Sequence, residues 1–392
     1  MFPWLSFGLN NRDLQVWPIF LAIIFIFSVS DQIRVPRGFY TILLLIVFGV
    51  FFASAFTHNY HSYLVLRGVI SYLSLPIFYL GFYNYLVKFG FPYRAFFSVN
   101  YSYLLMGIIE LFKPEFSELF SSLRTTPGRG VTSFAPEPTF FATFLFIASW
   151  ILLVLVREGV CRRHLLFLVA LNFCGIIFLA KSLMISLLLV IAIVIWAVNW
   201  SSLRDRNRKS LFLLFGIFGA VFVGFLLGFF DFSDSRMYRA IVKLLSSESV
   251  ISWITTDTSI SARFGAVFYS VVGMFHNWLV PGGFDSYSEM RAQLLSSGMF
   301  PEFYDHTSSN VIMSWLGAAA YELGVFGIGT FLVVMAICCH NIRSLFSSGI
   351  ILGALLVSGI SAGFPLIPLL MCMLFFGERS RGHVGLMGRR WR

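Results

Sequence analysis

Apolar positions along the chain are gathered into long runs separated by short polar segments. A membrane-crossing helix needs about 20 predominantly apolar residues. The runs predict eleven spans, at 14–30, 38–56, 63–87, 95–112, 136–156, 164–180, 183–200, 210–230, 322–340, 346–361 and 364–377, with ten to twelve as the bounds. The expected fold is an all-α polytopic membrane protein forming one integral membrane domain over residues 1–392. The run 95–112 is the least uniform, because it contains Asn100, Ser102 and Glu110. The last two runs are short. Glycines 359 and 363 and the following Pro365 and Pro368 predict a tight turn or a broken helix between them.

Composition sharpens this picture. Only 12% of residues are charged and 58% are hydrophobic, with 47 phenylalanines. A soluble domain carries about 25% charged residues and needs them to cover its surface. Soluble enzymes, disordered chains and small disulfide scaffolds are therefore excluded. The net charge of +10 does not point to nucleic acid, because the basic residues lie in short loops between apolar runs, the signature of membrane orientation. Placing the C-terminus in the cytoplasm puts 31–37, 88–94, 157–163, 201–209, 340–344 and 378–392 inside, with 17 Lys and Arg against 4 acids. Residues 231–310 then lie outside, with 5 Lys and Arg against 8 acids, and the N-terminus lies outside as well. Four of the five cysteines lie in or at the ends of apolar runs and Cys161 in a basic loop, with no zinc-site spacing.

Two outside segments exceed ordinary loop length. In the first, Arg124 and Arg129 flank Thr125-Thr126-Pro127-Gly128, and Pro136-Glu137-Pro138-Thr139 opens the next span. Guanidinium groups match phosphate oxygens. Proline suits the first helical turn, where Glu137 meets the positive end of the helix. The alternative is that Glu137 anchors the helix start and the arginines meet lipid headgroups. Lys181-Ser182 divides a run of hydrophobic residues from 164 to 199 and reads as a tight outside turn, its lysine either meeting an anionic headgroup or snorkelling.

The second outside segment, 231–310, carries Arg236, Arg239 and Lys243 at helical spacing. Arg263 opens an apolar stretch, 264–280, expected to form an amphipathic helix on the membrane surface. His306, beside Asp305, is a candidate general base. His276 competes for that role, but its apolar surroundings favour packing. Glu322 and Glu110 are acids in or near apolar runs, which is costly unless each is paired or faces a polar cavity. His58 and His61 lack a third metal ligand. Gly324, Gly327 and Gly329 have the wrong spacing for a nucleotide loop and are expected to permit close helix packing.

With these residues in view, the chain resembles the bacterial Wzy-type polymerases of the wider O-antigen polymerase and ligase superfamily. The resemblance is carried by Ala135-Pro136-Glu137-Pro138-Thr139-Phe140-Phe141-Ala142, by the Lys181-Ser182 turn, and by the late loop with Arg263 and His306 running through Asn310 into Glu322-Leu323-Gly324-Val325-Phe326-Gly327. Ala135 stands where the family usually has Ser, and His306 is separated from Asn310 where ligases place His beside Asn. The resemblance implies a GT-C-like glycosyltransferase in the bacterial cytoplasmic membrane, without cofactor or metal. It would join oligosaccharide repeats carried on undecaprenyl pyrophosphate into an exopolysaccharide, capsule or O-antigen. Taken with it, Glu137, Arg263, His306 and Glu322 are the expected catalytic candidates and Arg124, Arg129 and Lys181 the expected pyrophosphate ligands, with Arg236 and Arg239 added on their helical spacing alone. Membrane lipid, a chain-length regulator and a flippase are the implied partners. A lipid-linked oligosaccharide flippase and an oligosaccharide ligase are the alternatives.

Overall fold

The computed structural model describes residues 17–28, 33–57, 62–118, 130–157, 162–182, 258–298, 314–338 and 364–373, with scattered positions in 185–189, 242–255 and 300–312. These residues are mainly helical, and no strand occurs among them. In chain order the helices are α1 (Trp17–Phe27), α2 (Phe39–Ala55), α3 (Ser62–Phe89), α4 (Tyr93–Phe112), α5 (Glu115–Glu118), α6 (Pro138–Arg157) and α7 (Arg162–Cys174). A π-helical segment, Gly175–Ala180, continues α7. There follow α8 (Thr258–His276), α9 (Tyr287–Ser296), α10 (Trp315–Glu322) and α11 (Val325–Cys338), and residues 366–373 are also helical.

Four helical stretches are long and apolar enough to cross a membrane: α3 from Val65, α4, α6 to Val156, and α7 with its π-helical continuation. Helices α1, α2 and α11 are shorter apolar helices. The chain is thus an α-helical protein of membrane type. The core is built around α6. Phe141, Phe144, Leu145, Ile147, Ile151 and Leu155 on it are essentially inaccessible, as expected of a helix that is apolar all round. The peripheral helices turn large apolar side chains outward instead: Leu44, Phe48 and Phe51 on α2, and Leu105, Ile108 and Phe112 on α4. Such a surface suits hydrocarbon as solvent rather than water.

Polar latches at the two ends set how the helices stack. At one end, the Asn84 carboxamide of α3 accepts from the Arg34 N–H at 2.7 Å and donates to the Arg34 carbonyl at 2.9 Å. The Lys88 ammonium donates to the Ser28 carbonyl, and the Tyr79 hydroxyl donates to the Arg37 carbonyl. The α1–α2 connection is thereby tied to the last turns of α3. At the other end, the Thr57 hydroxyl accepts from the Phe284 N–H at 3.0 Å. The Phe284 ring lies over Gly68 of α3, where a Cβ would meet ring atoms. Backbone that links helices is thus hydrogen-bonded internally, which a low-dielectric surround requires.

The spans expected at 63–87, 95–112, 136–156 and 164–180 match α3, α4, α6 and α7 with its continuation to within two residues or so at each end. Two expectations are corrected. The helix expected over 264–280 has other bounds: α8 begins at Thr258, ends at His276 before a turn at 277–280, and packs along α10. The span 322–340 is not continuous with Glu322. The chain breaks at residues 323–324, where Gly324 has φ +58°, and Glu322 closes α10. Gly327 then packs directly on the Ala319 backbone, close enough that no Cβ fits, and Gly329 faces Leu45. Those glycines do serve close packing. The spans expected at 210–230 and 346–361, and nearly all of 183–200, lie outside the described residues.

Candidate functional site

The site forms at the Thr57 end of the bundle, around the start of α6. Pro138 occupies the first helical position, and the Glu137 carbonyl accepts from the Phe140 and Phe141 N–H groups. Glu137 is therefore the residue at the helix mouth. Its side chain is half-buried and makes no hydrogen bond or ion pair among the described residues. One residue into the helix, the Thr139 hydroxyl accepts from Nη2 of Arg263 at 3.2 Å. Arg263 stands on the second turn of α8, and 124 residues separate it from Thr139. The helix mouth thus gathers a carboxylate, a guanidinium and the positive end of a peptide dipole.

The segment leading into α6 is fixed by Glu110, near the end of α4. Its carboxylate accepts from the Thr132 N–H at 2.9 Å, the Ser133 N–H at 2.6 Å and the Thr132 hydroxyl at 3.0 Å. The Ser133 hydroxyl donates to the Tyr103 carbonyl at 2.7 Å, and Ser133 has φ 57°, an unusual value for a residue with a Cβ. Charge-assisted bonds to a buried carboxylate hold that turn in place. On its other side the Val131 N–H donates to the Leu179 carbonyl at 2.9 Å. Gly130 lies so close to the Ala180 backbone that a side chain is impossible there. Next in the chain, Lys181 ends the π-helical segment in the left-handed region, φ 47°, and is half-buried. Two features read separately in the sequence, the loop before α6 and the Lys181-Ser182 turn, therefore meet.

Glu322 belongs to a second cluster. Its carboxylate accepts from the Tyr72 hydroxyl at 2.6 Å, and the Arg67 guanidinium of α3 is near enough to act on it electrostatically. Phe284 covers this cluster, with its ring centroid 6.4 Å from that of Tyr72. The loop carrying Phe284 is closed by the Gly282 N–H, which donates to the Tyr321 carbonyl at 2.8 Å, and by Ser286 and Tyr321, whose hydroxyls lie 2.9 Å apart. The phenol donor and the guanidinium both favour the charged carboxylate and so offset the cost of burying it.

Of the residues singled out in the sequence, Arg263 reaches the segment that carries Glu137 through its bond to Thr139, and Lys181 abuts the loop that leads into it. Glu322 stands apart with Arg67 and Tyr72. Arg124, Arg129, Arg236, Arg239, Asp305, His306, Asn310, His58 and His61 lie outside the described residues. Lys243 is exposed, and so is His276, which ends α8 rather than packing inside it. Arg67 and Tyr72 went unremarked in the sequence, and Thr139 was noted there only as part of the segment that opens α6. Arg67 carried a usable signal, as the one charged residue between 63 and 87; Tyr72 carried none. Among the described residues no group of three His, Cys, Asp or Glu could hold a metal ion. Comparison of the chain with family models, with curated proteins and with solved structures finds no match.

Proposed function

We propose that the chain is a polysaccharide polymerase of the cytoplasmic membrane, built on eleven spans in a GT-C-like arrangement with its C-terminus in the cytoplasm. It joins oligosaccharide repeats carried on undecaprenyl pyrophosphate at the outer face and releases undecaprenyl pyrophosphate. The observation that carries the reading is the hydrogen bond from Arg263 to Thr139. It ties the late outside loop to the Pro136-Glu137-Pro138-Thr139 segment, the two regions on which the family resemblance rests.

In this reading an acceptor sugar hydroxyl attacks the anomeric carbon of a donor repeat. The bond from that carbon to the pyrophosphate oxygen breaks, and both its electrons leave with the pyrophosphate. Arg263 and the α6 N-terminus stabilise the charge gathering there, since preorganised donors in a water-poor site act strongly on a developing anion. Glu137, half-buried and with no side-chain hydrogen bond or ion pair among the described residues, takes the hydroxyl proton. Lys181, with Arg124, Arg129, Arg236 and Arg239, supplies further positive charge, and His306 is the competing base. Attack from the face opposite the leaving group inverts the anomeric centre.

The test is reconstitution in liposomes with cognate lipid-linked repeats, without nucleotide sugar or metal. A ladder of longer glycans that disappears with Arg263→Ala supports the reading. Absence of a ladder from folded protein and verified substrate overturns it. A second reading, a carrier for lipid-linked oligosaccharides, is favoured by the Arg67, Tyr72 and Glu322 cluster, because charge buried inside a bundle commonly marks a transport path. Cells lacking the protein separate the two. A polymerase defect leaves single repeats at the outer face, and a carrier defect removes them. A ligase would join glycan to a different acceptor and give no ladder from repeats alone.

A further inference from the structure

The chain leaving α8 forms a turn in which four of the six side chains from 275 to 280 are large, apolar and exposed, with His276 exposed and Asn277 half-buried between them. Trp278 is 89% exposed and Phe275 63%, with Leu279 and Val280 at 40% each. Two successive residues, Trp278 and Leu279, have positive φ, 56° and 66°. Such backbone is unfavourable for residues with bulky side chains and persists only when its surroundings fix it. Here three hydrogen bonds within the turn do so: Leu279 N–H to the Met274 carbonyl at 2.9 Å, Trp278 N–H to Phe275 at 3.0 Å, and Val280 N–H to Asn277 at 3.0 Å. A fourth fastens the turn to the start of α11, where the Val325 N–H donates to the Leu279 carbonyl at 3.0 Å. The backbone is held so that four apolar side chains point away from the protein.

The depth of this turn follows from α2. Leu323 and Phe326, which flank Val325, pack against Gly49, and the Phe326 ring stacks on Phe52 with centroids 5.6 Å apart. Gly49 lies six residues before the end of α2 at Ala55. At 1.5 Å per residue the attachment point is about 9 Å below the end of that helix. The exposed surface is continuous there, because Val325 is 50% exposed, Leu332 on the same helix 59%, and Phe52 on α2 37%. Trp with neighbouring apolar residues at such a depth matches the aromatic belt at the boundary of headgroups and acyl chains.

We infer that residues 275–280 are a membrane anchor whose apolar side chains insert into the headgroup–acyl boundary of the leaflet at the Thr57 end. The segment 231–310 is then not wholly aqueous: it dips back into the bilayer at the end of α8. This assignment does not depend on the catalytic reading.

The test uses the full-length protein in liposomes and the emission difference between wild type and Trp278→Phe, which isolates Trp278 from the other tryptophans. With lipids brominated near the headgroup end of the chains, that difference signal loses most of its intensity, and aqueous acrylamide quenches it weakly. Strong acrylamide quenching without an effect of bromolipid places the turn in water and overturns the proposal. Protection from both quenchers places it against protein, as in a self-associated form, and overturns it equally. If Trp278→Phe does not assemble, Phe275→Trp and Val280→Trp, each added to the wild-type chain, report the same quantity as a gain in bromolipid-quenched emission.

Discussion

The Tyr72 hydroxyl lies 2.6 Å from the Glu322 carboxylate, and 250 residues of chain separate the two. The bond joins the middle of α3 to the last residue of α10, beside the break that starts α11. It is the shortest statement of how the late part of the chain is docked onto the early helices. The neighbouring contacts, Phe284 over Gly68 and Thr57 accepting from Phe284, work in the same direction.

Tyr72→Phe removes the phenol donor and leaves the carboxylate with one fewer partner. Hydrogen bonds to charged groups contribute about 1.5–3 kcal/mol, so Tyr72→Phe is expected to lower stability by that order. Glu322→Gln removes the charge as well as weakening the bond. A double-mutant cycle by thermal unfolding in detergent should show the two changes strongly non-additive. Additive losses would mean that the pair contributes no coupling.

Glu110→Ala should release the 130–135 segment, because its carboxylate serves both the Thr132 and Ser133 N–H groups in a buried setting. The two N–H donors are then orphaned, and the positive φ at Ser133 is held only by the Ser133 hydroxyl on the Tyr103 carbonyl and by the neighbouring backbone bonds. A stability loss of about 2 kcal/mol or more is expected. Hydrogen exchange should rise across 130–135 and leave α3 unchanged. Glu110→Gln, which keeps acceptor capacity on one oxygen, should fall between the two. Uniform exchange across the whole chain in Glu110→Ala would instead signal global unfolding rather than a local anchor.

These contacts mark where reading the sequence stops. The positions of α3, α4, α6 and α7 follow from runs of apolar residues, because the cost of polar groups in hydrocarbon is paid residue by residue and is visible in any window. The start of α6 follows from Pro138, whose missing N–H is harmless only in the first turn. Glu110 and Glu322 were visible as expensive residues, but their partners were not. Nothing local links Glu110 to backbone N–H groups some twenty residues on, or Glu322 to a phenol on α3. The break after Glu322 and the turn after α8 were hidden for another reason. Both lie inside apolar runs, where hydropathy carries no information about backbone conformation. Gly324 was a weak signal for the first, and Trp278 and Leu279 gave none for the second.

Gly327→Ala and Gly90→Ala separate two uses of glycine. At Gly327 a Cβ would strike the Ala319 backbone, so α10 and α11 must move apart. At Gly90 nothing lies within 4 Å, and only the positive φ of 77° opposes a side chain. Gly90→Ala should cost about 1–2 kcal/mol. Gly327→Ala should cost more than that and should also loosen the Glu322 cluster, read as reduced yield of monodisperse protein in detergent. Equal effects would mean that α10 and α11 have room to adjust.

Stability should fall at alkaline pH through Tyr287. Burial in the contact with Tyr321 and Met290 pushes its phenol up to about 12 from 10.0, with Arg291 opposing. The folded state therefore keeps Tyr287 neutral over a range where the unfolded chain ionises. Its contribution is complete below pH 10 and is lost as pH rises from about 10 to about 12. Tyr287→Phe should flatten this part of the stability–pH curve. An unchanged slope would assign the alkaline loss to other groups.

Arg263 and Thr139 give the most direct test of the proposed chemistry. In the proposed reaction Arg263→Ala removes a guanidinium that faces developing negative charge, and losing one such donor should cost about a hundredfold to a thousandfold in turnover. Arg263→Lys keeps the charge but not the planar geometry, and should recover only part of the rate. Thr139→Val leaves the arginine in place without its acceptor at 3.2 Å. If Thr139 only positions Arg263, its loss should lower kcat by up to about a hundredfold with little change in KM, since misplacing a catalytic group acts on the transition state. In the double variant Arg263→Ala/Thr139→Val the second change should then add nothing. Full additivity of the two losses would mean that Thr139 acts independently of Arg263, and the hydrogen bond between them would have no part in the reaction.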